Sequence, residues 1–228
     1  MAIGRVINEH SGLFPDFDEI VKKIGYDVYH SNWEMQLFLQ IPNLTKADIL
    51  EYFEYLALER ILSGECDVGF VPMSYLDSKN EIMENDPNPT YISEYINIVG
   101  QLFLAGYIDF GLYCDDDEEE ILLSKQKPDK YQSWIHFRDN FFYANRFCRE
   151  LDEPEIKDNE GNCLLIGFAS WDNPKYWSQY NILTARTPKG TKYFNEILSP
   201  KFYNKYKDLE VEIDDKGNII KWIGQINR

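Results

Sequence analysis

The stretch Asn88-Pro89-Thr90-Tyr91-Ile92-Ser93-Glu94-Tyr95-Ile96-Asn97-Ile98-Val99-Gly100-Gln101-Leu102-Phe103-Leu104-Ala105-Gly106-Tyr107-Ile108-Asp109-Phe110-Gly111-Leu112-Tyr113 carries two periodicities in succession. Asn88 can cap a helix and Pro89 suits its first position; Tyr91, Ile92, Tyr95, Ile96, Val99, Leu102 and Phe103 then recur at three- and four-residue steps. Glycine commonly follows the last helical turn, because it tolerates the left-handed conformation there. Past Gly106 the pattern alternates from Tyr107 to Tyr113, the period of a strand. The spacing predicts a largely buried helix that ends at Gly106 and leads into a strand, the mixture expected of an α+β unit.

Downstream, Asp115-Asp116-Asp117-Glu118-Glu119-Glu120 is an unbroken acidic run that reads as a loop. From Tyr131 onward, Trp134, Phe137, Phe141, Ala144, Phe147 or Cys148, and Leu151 keep helical spacing, which predicts a long aromatic helix stopped by Pro154. Asp158-Asn159-Glu160-Gly161-Asn162 reads as a turn, with short strands expected at 164–169 and 181–185. Thr187-Pro188 opens a helix through Tyr193, Phe194, Ile197 and Leu198. The chain then reads as a hairpin, 209–213 and 219–223, turned by Asp214-Asp215-Lys216-Gly217-Asn218.

Upstream, Phe17, Ile20, Val21 and Ile24 form one helical face that Gly25 ends. Trp33, Met35, Leu37, Leu39 and Ile41 fall on one side of a pleat that Pro42 stops, predicting a half-buried strand. Thr45 followed by Asp48 resembles a capping box with Asp in place of Glu, and it opens a helix over 49–62. A strand is expected at 67–71, and the turn-forming composition of 76–89 places a boundary there. The expected organisation is a small α/β N-terminal unit, 1–85, and a larger α+β unit, 86–228, with a helical insertion and a C-terminal β-hairpin.

Two pieces of the second unit resemble winged-helix proteins. Ile96 to Ile108 is similar to the end of a recognition helix and its glycine before the wing. Tyr180-Asn181-Ile182-Leu183-Thr184-Ala185-Arg186-Thr187-Pro188-Lys189-Gly190 is similar to the strand leaving a wing and entering the next helix. The resemblance implies that the segment 115–177 is an insertion within the wing. A recognition helix implies duplex binding in many such proteins, but 88–106 holds Glu94 and no Lys or Arg, whereas duplex binding needs cations on phosphates and polar groups on base edges. The fold is therefore expected to serve as a scaffold for protein contacts.

Charge narrows the partner. The 228 residues carry 23 Lys plus Arg against 39 Asp plus Glu, a net charge of -16. This repels nucleic-acid phosphates and anionic membranes and favours fast encounter with a basic protein. With 44% hydrophobic and 15% aromatic residues, there is ample material for a core, which excludes global disorder. No apolar run reaches the roughly 20 residues of a spanning helix, and the first ten residues lack a secretory pattern. Cys66, Cys114, Cys148 and Cys163 are widely spaced without a C-x-x-C pair, as in reduced thiols. A cytoplasmic location is expected.

No catalytic, cofactor or metal site emerges. His10, His30 and His136 lack metal-ligand spacing, and the acidic run lacks the alternating ligands and turn glycine of a Ca²⁺ loop. Gly167-Phe168-Ala169-Ser170-Trp171 lacks the second glycine of a nucleophile elbow, and no glycine pattern cradles a phosphate. Cys148 and Cys163 read as packing residues. The basic stretch Arg186, Lys189, Lys192, Lys201, Lys205 and Lys207 reads as a solvated helix face. Two groups are candidates for partner binding: the run Asp115, Asp116, Asp117, Glu118, Glu119 and Glu120, and the rings Trp171, Tyr176 and Trp177 in a Pro-containing loop. The expected function is that of an acidic, non-enzymatic binding or inhibitory protein, which resembles bacterial immunity proteins in size and acidity and would mask a basic toxin or nuclease domain. The alternatives are a winged-helix transcription regulator and a hydrolase whose site is assembled from distant segments.

Overall fold

The computed structural model describes residues 1–9, 12–17, 19–20, 30–61, 92–112, 122–149, 151–164 and 169–228. In chain order its main elements are strand β1 (Ala2–Arg5), helices α1 (His30–Leu39), α2 (Lys46–Arg60) and α3 (Ile92–Ala105), strand β2 (Ile108–Leu112), helix α4 (Lys130–Phe137), strand β3 (Ile182–Arg186), helices α5 (Pro188–Tyr193) and α6 (Ser199–Tyr206), and strands β4 (Glu210–Ile213) and β5 (Ile219–Ile223). Helices combined with antiparallel sheets make the fold α+β. No helix among the described residues is long and apolar enough to cross a membrane.

Among the described residues the chain forms two units, the first drawn from Met1–Tyr55 and Phe194–Arg228, the second from 56–61 and 92–193. In the first, β1 and β4 pair antiparallel from Ala2 opposite Ile213 to Arg5 opposite Glu210, and β4 pairs with β5, giving the order β1-β4-β5. The sequence reading placed 194–228 with the second unit and assigned no strand at the N-terminus. Pairing overrides that division: among the described residues β1 takes its ladder from β4, which puts both segments in one unit. Val6 N–H continues the contact by donating to Leu209 O at 3.0 Å.

The alternation read at 33–41 is not a strand. Residues 30–39 form α1, where Glu34, Met35, Gln36, Leu37 and Phe38 are buried in succession. Burial of both parities is incompatible with a two-faced strand, and the buried polar Glu34 and Gln36 imitated a solvent face in the sequence. Phe38 stacks on Tyr52 at 4.0 Å and meets Tyr206 edge-on at 5.2 Å, while Tyr55 stacks on Phe202 at 4.2 Å. Such aromatic contacts between helices make up the heart of the first unit.

In the second unit β2 pairs with β3, Ile108 opposite Arg186 and Leu112 opposite Ile182. Helix α3 ends as expected, with Gly106 at φ 74°. The long aromatic helix is shorter than its spacing implies. After α4 the chain makes a π-helical turn over Arg138–Phe142, then Asn145 turns left-handed at φ 54° well before Pro154. Arg146 donates from its guanidinium to Asn140 O, and Asn140 Nδ2 donates to His136 O at 2.9 Å, so side chains occupy carbonyls that a continuing helix would use. Phe137 is fully buried among Phe110, Phe141, Trp171 and Trp177. Cys163, read as a packing residue, is exposed. The strand expected at 67–71, the boundary at 76–89, the core of the strand at 164–169 and most of the helix at 17–24 lie outside the described residues.

Candidate functional site

The densest charged group among the described residues of the first unit grows from the capping box that opens α2. Asp48 Oδ2 accepts from Thr45 N–H and Thr45 Oγ, both at 2.7 Å, and Thr45 Oγ accepts in return from Asp48 N–H at 3.3 Å. One helical turn on, Glu51 lies on the same face. Lys201 and Lys205, four residues apart on α6, present a matching pair. Lys205 Nζ lies 2.7 Å from Asp48 Oδ1 and also donates to Glu51, and Lys201 Nζ is 2.5 Å from Glu51 Oε1. Asp48 is only 2% exposed, so its charge depends on these partners.

A fifth charge arrives on an irregular strap, 224–228. Asn227 N–H donates to Lys205 O at 2.8 Å, and Asn227 Nδ2 donates to Asn204 O and Asp208 Oδ2. These bonds deliver Arg228, whose Nη2 donates to Asp48 Oδ2 at 2.9 Å and Asn43 O at 2.8 Å. Asn43 is itself left-handed, at φ 64°, which sets the direction of its carbonyl. Arg228 lines two cavities. One of about 460 Å³ is lined by Lys201, Asn204, Lys205, Asn227 and Arg228. Another of about 220 Å³ is lined by Pro42, Asn43, Leu209, Trp222, Gly224, Gln225, Ile226 and Arg228.

These neighbours set the protonation states. Burial pushes the Asp48 carboxyl up, but bonds from Lys205, Thr45 and Arg228 outweigh it and hold the group well below the usual carboxylate range. Glu51 follows the same logic, burial being outweighed by Lys201 and Lys205. For Lys205, burial works against the ammonium, while Asp48 and Glu51 raise its pKa overall. Tyr206 is pushed up by burial first and by the two carboxylates next. At neutral pH both acids are ionised and Lys205 keeps its proton. Neither carboxylate of the group therefore holds a proton to donate at neutral pH.

The sequence-derived candidates fare differently. Asp115 to Glu120 lie outside the described residues. Trp171 and Trp177 are buried in the second unit, 3% and 0% exposed, so the loop does not offer these rings to solvent; Tyr176 is half-buried. Trp177 Nε1 donates to Ser170 O at 2.8 Å, Trp171 lies edge-on to Phe137, and His136 Nε2 sits 3.1 Å from Trp171 O. The loop is closed inward because a ring with a satisfied indole N–H gains more from burial than from exposure. The basic stretch is also not a single solvated face: Lys189 Nζ donates to Ala105 O at the end of α3, whereas Lys201 and Lys205 serve the acidic pair.

Sequence reasoning reached Thr45 and Asp48 as a cap and went no further. The available signal was the pair of acids at i and i+3 after the cap, matched by two lysines at i and i+4 far along the chain. No protein-family model matches the chain, and no curated protein or solved structure shows significant similarity to it.

Proposed function

We propose that this chain is an acidic binding protein of the immunity or antitoxin kind, which masks a basic toxin or nuclease domain. The observation that carries this reading is the net charge of -16, together with the internal use of cations. Arg5 pairs with Asp16, Arg149 with Glu155, Lys157 with Asp152, and Lys201 and Lys205 with Glu51. Cations committed to local acids leave the surplus acid unbalanced, and a surplus of one sign steers an oppositely charged partner. In this reading the run Asp115 to Glu120 does the steering. Trp171 and Trp177 have no part in it, being core residues.

The test is capture from the source cell's lysate at low and high salt, followed by assay of the captured protein's activity with and without the chain. A near-stoichiometric basic nuclease or toxin that is lost at high salt and inhibited by the chain supports the reading; recovery of DNA, or of no basic protein, overturns it. Neutralising Asp115 to Glu120 is expected to slow association and flatten its salt dependence, and unchanged kinetics remove that run from the mechanism.

One arrangement favours a second reading, a winged-helix transcription regulator. The two segments that resemble that family meet as the antiparallel pair β2 and β3, and Thr187 Oγ donates to Gly106 O at 2.7 Å. This reading requires salt-sensitive duplex binding that is lost when Lys189 and Lys192 are changed.

A further inference from the structure

We infer that Asp48 Oδ2 and the Asn43 carbonyl form a docking site for an arginine side chain of a basic partner, a site that Arg228 fills in the free protein. The inference rests on the partner being basic, as proposed above. The acceptors come from different segments and converge on one guanidinium nitrogen, at 2.9 and 2.8 Å, while Asp48 Oδ1 stands 3.5 Å from the other terminal nitrogen, Nη1. Acceptors reaching both terminal nitrogens suit the forked guanidinium better than the point charge of an ammonium.

Of the two cations on Asp48, Arg228 is the replaceable one. Its side chain is 48% exposed, against 18% for Lys205 and 2% for Asp48, and it is carried on a strap with no strand of its own. When it leaves, Asp48 keeps Lys205 and both Thr45 bonds, so the buried carboxylate is not stranded. An incoming arginine restores the same local charge, which makes the exchange isoelectric. The two cavities that Arg228 lines give room for the new side chain, and Trp222 and Leu209 in the smaller one supply apolar wall for its stem. Arg228 therefore acts as a stand-in that holds the site in shape and taxes every competitor by the fraction of time it is bound.

The experiment uses the full chain and two monovalent probes, N-acetyl-arginine methylamide and its lysine counterpart, followed through the backbone amide signals of Thr45 and Asp48. Arg228→Gln is expected to bind the arginine probe about tenfold more tightly than the wild type, the gain that follows if Arg228 occupies the site about nine-tenths of the time. The lysine probe is expected to bind about tenfold more weakly than the arginine one, and adding Asp48→Asn is expected to abolish the response. Equal affinity in wild type and Arg228→Gln, equal response to the two probes, or unmoved Thr45 and Asp48 signals would overturn the inference. If Arg228→Gln loses its signal dispersion, Arg228→Lys takes its place, with affinity for the arginine probe expected above that of the wild type; affinity no higher than wild type overturns the inference. Capture of a salt-sensitive basic partner by a chain that fails this titration sinks the site and leaves the proposed function standing.

Discussion

Gly190 lies against the backbone of Tyr107: a Cβ at this position would overlap the Tyr107 carbonyl oxygen. The close approach is fixed by Thr187, whose N–H donates to Tyr107 O at 3.0 Å and whose Oγ accepts from Gly190 N–H at 3.0 Å, capping α5. Helix α5 can leave β3 in this direction only because position 190 carries no side chain. Gly190→Ala is therefore expected to destabilise the second unit by about 1–3 kcal/mol, the range for forcing extra volume into a packed site. Urea unfolding reads this directly, and a wild-type midpoint would show that the two backbones separate without penalty.

Removing the Asp48 charge separates the ionic cluster from mere packing. Asp48→Asn keeps the shape and leaves Lys205 and Arg228 short of an anion, with an expected loss of about 2–4 kcal/mol from the first unit. The pH dependence has a definite sign. The folded-state pKa of Asp48 is depressed, so its stabilisation is full above the unfolded carboxylate pKa of about 4 and is lost as pH falls through the lower folded value. The wild type is expected to lose stability steadily below about pH 4 and Asp48→Asn to lose less over the same interval. Parallel profiles would remove Asp48 from the acid response.

Trp177 tests whether the loop from Trp171 is core or contact surface. Trp177→Ala is expected to cost the second unit about 3–5 kcal/mol, as for other large aromatic truncations in a core. Trp177→Phe retains most of the ring area and loses the bond to Ser170 O, for an expected cost of about 1 kcal/mol. Thermal melts that are unchanged in both variants would contradict the burial described above.

The turns 158–162 and 214–218 share the pattern Asp-x-x-Gly-Asn and the same bonds. Asp158 Oδ1 accepts from the amides of Glu160 and Asn162, and Asp214 Oδ1 from those of Lys216 and Asn218. Gly161 and Gly217 both take positive φ, 86° and 84°. Gly217→Ala is expected to destabilise the first unit by about 1 kcal/mol and Gly161→Ala the second by a similar amount. Hydrogen exchange should localise each effect to its own unit; an effect of Gly217→Ala on β2 amides alone would be contrary to this.

Much of the fold was legible where local chemistry acts alone. The end of α3 at Gly106, the strand that follows, the cap at Thr45 and Asp48, and the hairpin around Asp214 all rest on neighbours within a few residues. Reading failed where a distant partner decided the outcome. Glu34 and Gln36 are polar yet buried, so a two-residue alternation hid a helix. Asn140 and Arg146 bond their side chains to the His136 and Asn140 carbonyls where the helical run gives out, and periodicity does not register such bonds. Trp171 and Trp177 stood in a polar, Pro-containing loop that folds its rings inward onto Phe137.

The sequence by itself determined the α+β character, the caps and turns, and a net charge of -16, because these follow from composition and from interactions within one or two turns of chain. Only the tertiary structure decided that β1 pairs with β4 and that Asp48 and Glu51 face Lys201, Lys205 and Arg228. Those partners lie more than a hundred residues apart. Their meeting depends on which faces the packed aromatic core brings together, and no local pattern carries that information.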